Sequence, residues 1–452
     1  MSQRTWVTPV LWSSCVAMLA VGANSTAIMA ALPNMRTELS LSAAGVEWAV
    51  NAYLVVSAAF VVLGGRAADR FGARAASIVG LVLFGVASCI IAAAGSQTEL
   101  LAGRALQGLA AAFAVPSTLA AVDTSAGPER RHAAIAAWTG FLMLGFSIGP
   151  LFGGVLTHIT GWRVIFWLNV VLMLIAIAGL ACASSPPAHA RATQGQRADW
   201  IGFVLLATLM VSLVFALHAL PHARTAPLPV VGPLALAVAA FVLLLIVESR
   251  ADAPLVDLGF FARRGFVMGV AIGSLAMFSI MSLLLYFNLY AQSRDGLGFT
   301  ALQAGAALLP LSAALLALAL LASALAARIG PRNAMTGGLV LIAVACAVIG
   351  LAVAWDGAML GMMLLAIGLF VMGAGLAVPY ALAPRLALSA LSREQAGQGS
   401  GIVNACTFLG GSAGVAGGAS AFALGGFVAV LMMIALAGIA GAVLSRGIVE
   451  PK

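Results

Sequence analysis

Long apolar runs dominate this chain, and short polar stretches separate them at regular intervals. A run of about 20 apolar residues can cross the ~30 Å hydrocarbon core of a bilayer as one helix. The pattern predicts fourteen such spans, at approximately 8–31, 45–64, 75–95, 98–121, 133–157, 163–183, 200–220, 229–248, 265–291, 301–327, 334–354, 358–382, 399–420 and 424–445. We therefore expect an all-α polytopic membrane protein.

Two parts of the chain resemble each other in sequence. The segment Ala68–Arg74 (Ala-Asp-Arg-Phe-Gly-Ala-Arg) recurs as Ala326–Arg332 (Ala-Ala-Arg-Ile-Gly-Pro-Arg), 258 positions later. A second register, shifted by 265 positions, relates the glycines of 145–153 to those of 410–418. Two registers in the same order predict two related halves, an arrangement typical of transporters built from duplicated helix bundles.

The spans can be sorted into domains by this repeat. Spans 7 and 8 have no counterpart, so they are interpreted as an insertion between two six-helix halves. The predicted domains are an N-terminal six-helix bundle at 1–183, a cytoplasmic linker at 184–199, the inserted helices at 200–250 and a C-terminal six-helix bundle at 251–452. The linker is rich in proline and small polar residues, which suits a mobile connection.

Composition excludes several classes of function. The chain is 63% apolar and 8% charged, against roughly 25% charged residues in a soluble domain. Its single lysine, Lys452, cannot belong to a phosphate-binding loop, so an ATP-driven pump within this chain is excluded. Paired carboxylates or His and Cys clusters in the spans would indicate an enzyme or a metal site. None is evident, so we expect no enzyme activity, no metal and no cofactor.

The net charge of +8 reports orientation. With both termini in the cytoplasm, 17 of the 22 basic residues fall on the cytoplasmic side and four on the outside. This bias follows the rule that cytoplasmic loops carry an excess of lysine and arginine. We therefore expect a multi-pass protein with both termini inside and no nucleic-acid partner.

A polar motif lies in the predicted cytoplasmic loop between spans 2 and 3. Gly65 and Gly72 would give the backbone freedom for a tight reversal. Asp69, with Arg70 and Arg74 beside it, could form an ionic latch or cap a helix end. The alternative is a simple turn in a positively charged loop. The second copy has alanine at the aspartate position, so only the first could latch through a carboxylate.

Span 4 contains Arg104 and, one turn later, Gln107. An arginine at that depth is costly unless it faces a cavity or a partner, so it is a functional candidate by default. The alternative is an arginine that snorkels toward the outer interface, because Glu99 lies near that end.

Span 5 carries glycines at four-residue spacing. Gly145, Gly149 and Gly153, with Gly154 beside them, would form a smooth face for close helix packing. Pro150 removes a backbone hydrogen bond and favours a kink. Ordinary helix packing without a mechanistic part is the alternative interpretation.

These three motifs resemble those of the major facilitator superfamily. The segment 65–74 is similar to its signature loop, 104–108 to its fourth-helix motif and 145–154 to its antiporter motif. The resemblance implies a major-facilitator fold of two pseudo-symmetric six-helix bundles, here with an inserted helix pair. It also implies that the first motif gates the cytoplasmic side, that Arg104 lies in a central cavity and takes part in proton coupling, and that the third motif accompanies export.

Three further stretches, 48–53, 162–170 and 304–310, resemble the fourteen-helix drug:proton antiporter family. This resemblance covers nearly the whole chain. It implies efflux of hydrophobic small molecules in exchange for protons, by alternating access, in the bacterial plasma (inner) membrane, with the monomer as the functional unit. Two alternatives remain open: a dedicated exporter of one endogenous metabolite, and a facilitator without proton coupling.

The chain departs from that family in span 1. Members often carry an aspartate where this chain has Asn24, and asparagine cannot carry a proton. We therefore expect Arg104 to dominate the charge of the cavity and to favour neutral, zwitterionic or anionic substrates. Interhelical hydrogen bonding is the alternative role for the remaining polar residues of the spans. Those that could face substrate are Thr26, Asn51, Tyr53, Asn288, Tyr380 and Asn404.

Overall fold

The computed structural model describes residues 8–127, 129–183, 200–220, 228–251, 257–355, 358–392 and 395–448. The predicted linker at 184–199 lies outside them. The helices are α1 (Pro9–Glu38), α2 (Ala43–Phe71), α3 (Ala73–Ala93), α4 (Gln97–Ser125), α5 (Arg131–Ile159), α6 (Arg163–Cys182), α7 (Trp200–Ala219), α8 (Leu228–Glu248), α9 (Arg264–Gln292), α10 (Ala301–Ala307), α11 (Leu309–Ile329), α12 (Pro331–Ala354), α13 (Ala358–Ser389) and α14 (Ala396–Ser445). A 3-10 turn at Leu258–Ala262 precedes α9.

Hydroxyl side chains cap several of these helices. The hydroxyl of Ser42 accepts a hydrogen bond of 2.9 Å from the amide of Gly45 at the start of α2. Thr300 and Gln303 form a reciprocal capping box at the start of α10. Each cap satisfies amides that have no partner inside the helix. Ser42 and Thr300 thus cap helices at corresponding positions of the 258-residue repeat.

The chain forms two compact units, Met1–Arg197 and Ala198–Lys452. In the first unit, α1 packs on α5 and α6, α2 on α4, and α3 on α4 and α6. In the second unit, α9 packs on α13 and α14, α11 on α13, and α12 on α13 and α14. Helices α7 and α8 pack on each other and α7 also contacts α14, so the inserted pair belongs to the second compact unit. Helices at corresponding positions of the two units thus pack against corresponding neighbours.

Polar contacts mark the two ends of the first unit. At one end, Arg163 at the start of α6 binds Glu38 at the end of α1 and donates to the carbonyl of Ala94, just after α3, at 2.9 Å. At the other end, Arg74 at the start of α3 donates to the carbonyl of Ala181 at the end of α6, at 2.5 Å. Helices α1 and α3 therefore run parallel to each other and opposite to α6.

The structure corrects the predicted loop at 65–74. Helix α2 continues past the apolar run to Phe71, so Gly65 is helical and does not make the turn. The reversal rests on Gly72 alone, whose φ of 89° lies in the left-handed region that glycine adopts without strain. Gly330 makes the corresponding reversal between α11 and α12 with a φ of 85°.

The second unit departs from the predicted spans at two places. Span 10 is interrupted at Leu308 between α10 and α11, where Pro310 removes a backbone donor. Spans 13 and 14 fall within α14, whose backbone is non-helical at Gly425 and Gly426. Thirteen helices of the described part are long and apolar enough to cross a membrane, with the last at Gly397–Ser445.

Candidate functional site

A cluster of buried polar side chains lies inside the first unit, where α1, α3, α4 and α6 converge. We call it the polar network. Arg104 is 0% exposed, and no other member exceeds 4%. The members are Asn24 on α1, Ser88 on α3, Arg104 and Gln107 on α4, and Asn169 on α6.

The amides of the polar network form a continuous chain of hydrogen bonds. Asn169 Nδ2 donates to Asn24 Oδ1 at 2.8 Å. Asn24 Nδ2 donates to Gln107 Oε1 at 3.4 Å, and Gln107 Nε2 donates to Ser88 Oγ at 2.9 Å. The network therefore holds four helices together through side chains that are buried and polar, a costly arrangement unless hydrogen bonds satisfy them.

Arg104 lies at the centre of the network. Its Nη1 donates to Gln107 Oε1 and its Nε donates to the carbonyl of Ala49 on α2, both at 2.7 Å. The guanidinium carbon lies 4.7 Å from the centre of the Tyr53 ring, which suits a cation–π contact. Its Nη2 has no hydrogen-bond partner among the described residues. No carboxylate of the described chain pairs with this guanidinium.

Helix α2 supplies the remaining predicted residues on this side of the unit. The ring of Tyr53 covers the guanidinium of Arg104. The hydroxyl of Ser25 on α1 donates to the hydroxyl of Tyr53 at 3.4 Å. Asn51, on the same helix, is fully buried. The structure thus brings together Asn24, Arg104, Gln107 and Tyr53 inside the first unit.

The predicted antiporter motif lies in the seam between α1 and α5. A side chain added at Gly145 or Gly153 would strike the backbone carbonyl of Leu19 or Ala27. One added at Gly149 would strike Thr26 Oγ1, and that hydroxyl donates to the carbonyl of Phe146 on α5 at 2.9 Å.

The remaining motif residues, Pro150 and Gly154, are buried in the same helix. Thr26 is also fully buried. The structure therefore places Thr26 in this seam, where its hydroxyl links α1 to α5.

The second unit repeats this seam between α9 and α14. Side chains added at Gly410 or Gly414 would strike the backbone of Ser274 or Phe278. Tyr286 donates to the carbonyl of Val415 at 2.7 Å. Since Val415 stands where the first copy has proline, this seam keeps close packing without the residue that favours a kink.

The predicted gate residues lie at the α2–α3 reversal. Asp69 and Arg70 are exposed, and Asp69 forms no ion pair within the described part of the chain. Arg70 lies 5.6 Å from the centre of the Phe71 ring. Arg74, bound to the carbonyl of Ala181, anchors α3 to α6.

The predicted polar residues of the second unit are more dispersed. Asn288 is fully buried, and its Nδ2 donates to the carbonyl of Leu284 on its own helix at 2.8 Å. Gln292 donates to Asn288 Oδ1 at 3.3 Å. Tyr380 on α13 and Asn404 on α14 are half-buried.

The sequence analysis did not identify two members of the polar network, Asn169 and Ser88, as site residues. Asn169 lies in the otherwise apolar core of α6, so its polarity alone could have marked it. Ser88 lies among small residues of α3 and bonds the carbonyl of Phe84 within its own helix at 2.7 Å, as isolated serines of helices often do. Nothing in the sequence distinguishes it.

Comparisons with known proteins identify what this chain resembles. The sequence model of the Major Facilitator Superfamily matches residues 14–415. The tetracenomycin C resistance and export protein of Streptomyces glaucescens is 31% identical over 419 residues, which cover 91% of this chain and 75% of that protein.

Two other relatives have similar names. The methylenomycin A resistance protein of Bacillus subtilis is 32% identical over 290 residues, covering 64% of this chain and 61% of that protein. The puromycin resistance protein of Streptomyces alboniger is 29% identical over 414 residues, covering 90% of this chain and 81% of that protein.

Proposed function

This chain belongs to the Major Facilitator Superfamily and is a transporter rather than an enzyme, and we propose that it exports hydrophobic small molecules in exchange for protons. The observation that carries this proposal is the similarity, over 91% of the chain, to a protein named for antibiotic resistance and export. Other relatives are named for resistance to methylenomycin A, to puromycin or to multiple drugs. We expect the same class of cargo here.

The charge of the polar network supports a preference among substrates. Arg104 is buried, has no carboxylate partner among the described residues and retains a free Nη2 donor. A permanently cationic molecule would be repelled by this guanidinium, whereas a carbonyl or carboxylate oxygen could accept from Nη2. We propose that neutral, zwitterionic and anionic compounds are preferred.

We propose fourteen membrane crossings, organised as the bundles 1–183 and 251–452, the linker 184–199 and the inserted pair 200–250. A straight helix of the 50 residues of α14 would be about 75 Å long, more than twice the hydrocarbon thickness. Its non-helical Gly425 and Gly426 offer the place where two crossings can meet. Both termini then lie in the cytoplasm, and the relatives favour the bacterial plasma membrane.

The mechanism we propose is rocking of the two bundles around a central site, with each monomer functional on its own. The glycine seam of α1 and α5 would form a rigid unit that moves as one body. Asp69, Arg70 and Arg74 would belong to the cytoplasmic gate. Each proton that moves inward down a membrane potential releases about 2.3 kcal/mol per 100 mV, enough for a modest substrate gradient.

Two alternative functions have specific support. Relatives named for single compounds, such as the probable actinorhodin transporter of Streptomyces coelicolor, favour a dedicated exporter of one endogenous metabolite. The absence of a carboxylate from the polar network favours an uncoupled facilitator, because no member of the network exchanges a proton readily near neutral pH.

Accumulation of a compound panel in an efflux-deficient bacterium tests these alternatives together. Cells that express the transporter should accumulate less of several chemically unrelated hydrophobic compounds, and a protonophore should abolish the difference. Protection against a single compound would replace the multidrug proposal with the dedicated exporter. Faster entry and exit, insensitive to the protonophore, would replace it with the facilitator.

A further inference from the structure

An apolar groove lies between α11, α12 and α13 in the second unit, outside the regions assigned to transport. Its volume is about 470 Å³. Leu318, Leu325, Leu341 and Val378 line its sides, and Gly337 leaves its floor open because nothing lies within 4 Å of an added side chain there. The groove is therefore wide enough for a slender apolar ligand, and its shape depends on a missing side chain.

The helix that forms one wall of the groove presents an apolar outer surface. Val340 on α12 is 47% exposed, and Val344 and Leu351 farther along the same helix are 46% and 60% exposed. Large apolar side chains exposed along a membrane-spanning helix face lipid. Hence acyl chains of the bilayer have direct access to the groove.

One end of the groove is basic. Ile329 and Asn333 line this end, and their sequence neighbours Arg328 and Arg332 lie on either side of the Gly330 reversal. Both arginines are exposed, and neither side chain has a hydrogen bond or ion pair within the described residues. Two unpaired cations at the mouth of an apolar groove match the chemistry of an anionic amphiphile.

The corresponding arginines of the first unit are engaged. Arg74 donates to the carbonyl of Ala181, and Arg70 lies over the ring of Phe71. The second copy also has Ala327 in place of Asp69, so the repeat itself supplies no carboxylate beside the pair. At the two corresponding repeat positions, a free cationic pair is therefore seen only in the second unit among the described residues.

We propose that this groove binds one acyl chain of an anionic phospholipid, with the phosphate held by Arg328 and Arg332. From Asn333 to Leu341 the groove follows nine residues of α12, a rise of about 12 Å along the helix. That length is close to half of the ~30 Å hydrocarbon core, so the chain spans one leaflet. The positive-inside orientation assigns the basic end, and therefore the bound lipid, to the cytoplasmic leaflet.

Native mass spectrometry of the full-length protein, released from nanodiscs of phosphatidylglycerol or of phosphatidylcholine, tests this site. Wild type should retain one phosphatidylglycerol more strongly than phosphatidylcholine. The double substitution Arg328→Gln with Arg332→Gln should weaken that retention roughly 10- to 30-fold, because each arginine near the membrane surface contributes about a three- to sixfold factor. The matched control is Arg250→Gln with Arg264→Gln, which removes two exposed arginines elsewhere in the same unit.

A second pair of variants tests the groove itself. Gly337→Leu should fill the groove and displace the acyl chain, whereas Gly350→Leu, on the same helix and also without neighbours within 4 Å, should retain it. Equal retention of the two lipids by wild type would overturn the proposal. So would full retention by both the arginine and the Gly337 variants. Lipid retention is measured without a transport substrate and without measuring flux. Failure of the lipid proposal can therefore be distinguished from failure of the proposed export function.

Discussion

A buried guanidinium inside a membrane helix bundle must be stabilised by hydrogen bonds, by an aromatic face or by a ligand, because hydrocarbon offers it no water. Arg104 has hydrogen bonds to Ala49 and Gln107 and the aromatic face of Tyr53. Its Nη2 group remains for a ligand. The surrounding amides already donate hydrogen bonds within the network. Arg104 is therefore the member of the network best able to bind a substrate oxygen.

Substitution of Arg104 should separate its charge from its size. We expect Arg104→Gln to reduce transport about tenfold or more, because a charge-assisted hydrogen bond contributes about 1.5–3 kcal/mol. Arg104→Lys keeps the charge but cannot reach Ala49 and Gln107 together, so it should also be impaired. Initial rates of export, normalised to folded protein in the membrane, provide the measurement. Wild-type rates in both variants would remove Arg104 from the site.

Substitution of Asn24 tests the inferred charge preference. Asn24→Asp places a carboxylate where it can accept from Asn169 and lies one amide away from Arg104. The new charge should offset the guanidinium and increase resistance to lipophilic cations several-fold, measured as the inhibitory concentration for growth. Asn24→Ala, which removes both hydrogen bonds of Asn24 without adding charge, is the control. No gain by a well-folded Asp variant would contradict the preference for uncharged or anionic cargo.

Single polar residues were predictable from the sequence only where they contrast with their surroundings. Arg104, Gln107 and Asn24 stand out in apolar spans, and the structure joins them. Which amide binds which partner was not predictable, since it depends on the rotation of four helices about their axes. That rotation also placed Thr26 in the α1–α5 seam.

Helix seams determine the architecture at the scale of elements. The glycine faces of α5 and α14 bring these helices against the backbones of α1 and α9, so each unit contains a very close helix pair at the corresponding position. Small residues permit this approach, and dispersion and hydrogen bonds across the seam stabilise it where the hydrophobic effect is absent.

A methyl group added to the seam should destabilise it. Gly149→Ala would place Cβ against Thr26 Oγ1 and within 2.7 Å of the carbonyl oxygen of Ala23. We expect a loss of about 1–3 kcal/mol in unfolding free energy, as for other overpacked sites. The measurement is thermal unfolding of purified protein in detergent. Gly140→Ala, on the same helix with nothing within 4 Å, should be neutral or stabilising, and equal effects of both would contradict the seam.

The observed ends of the helices show where hydropathy alone does not predict a helix boundary. The apolar pattern ends span 2 near residue 64, but α2 continues to Phe71 because arginine and alanine are good helix formers outside the membrane. The helix is interrupted at Leu308 because Pro310 lacks a backbone donor. The sequence showed that this proline could interrupt span 10, but whether the helix kinks or breaks there depends on packing. The bend at Gly425 and Gly426 lies just beyond the predicted break between spans 13 and 14, and Gly426 permits it because glycine adopts its positive φ of 64° without strain.

The whole molecule is organised by duplication and by charge. Two repeat registers in the sequence predicted two related halves, and corresponding helices do choose corresponding neighbours within the two units. The sequence also shows that the second half lacks the aspartate and the proline of the first. It does not show how the helices pack around these substitutions, which requires comparison of the two packed units.

The proposed topology makes a prediction about the C-terminus. Fourteen crossings place it in the cytoplasm with the N-terminus, whereas thirteen would place it outside. A green fluorescent protein fused after Lys452 should fluoresce, and alkaline phosphatase at the same position should be inactive. The same reporters fused after Leu424, which is 88% exposed just before the bend, should give the opposite pattern. Matching signals at both positions would show that α14 does not cross twice.

Proton-coupled export is tested most directly with purified protein in liposomes that contain a pH-sensitive dye and carry an imposed pH gradient. The transporter should move a neutral or anionic hydrophobic substrate against its gradient, with protons moving the opposite way, and Arg104→Gln should lose both fluxes together. Substrate movement that only equilibrates, with no change in the dye signal and no dependence on the pH gradient, would contradict the coupling.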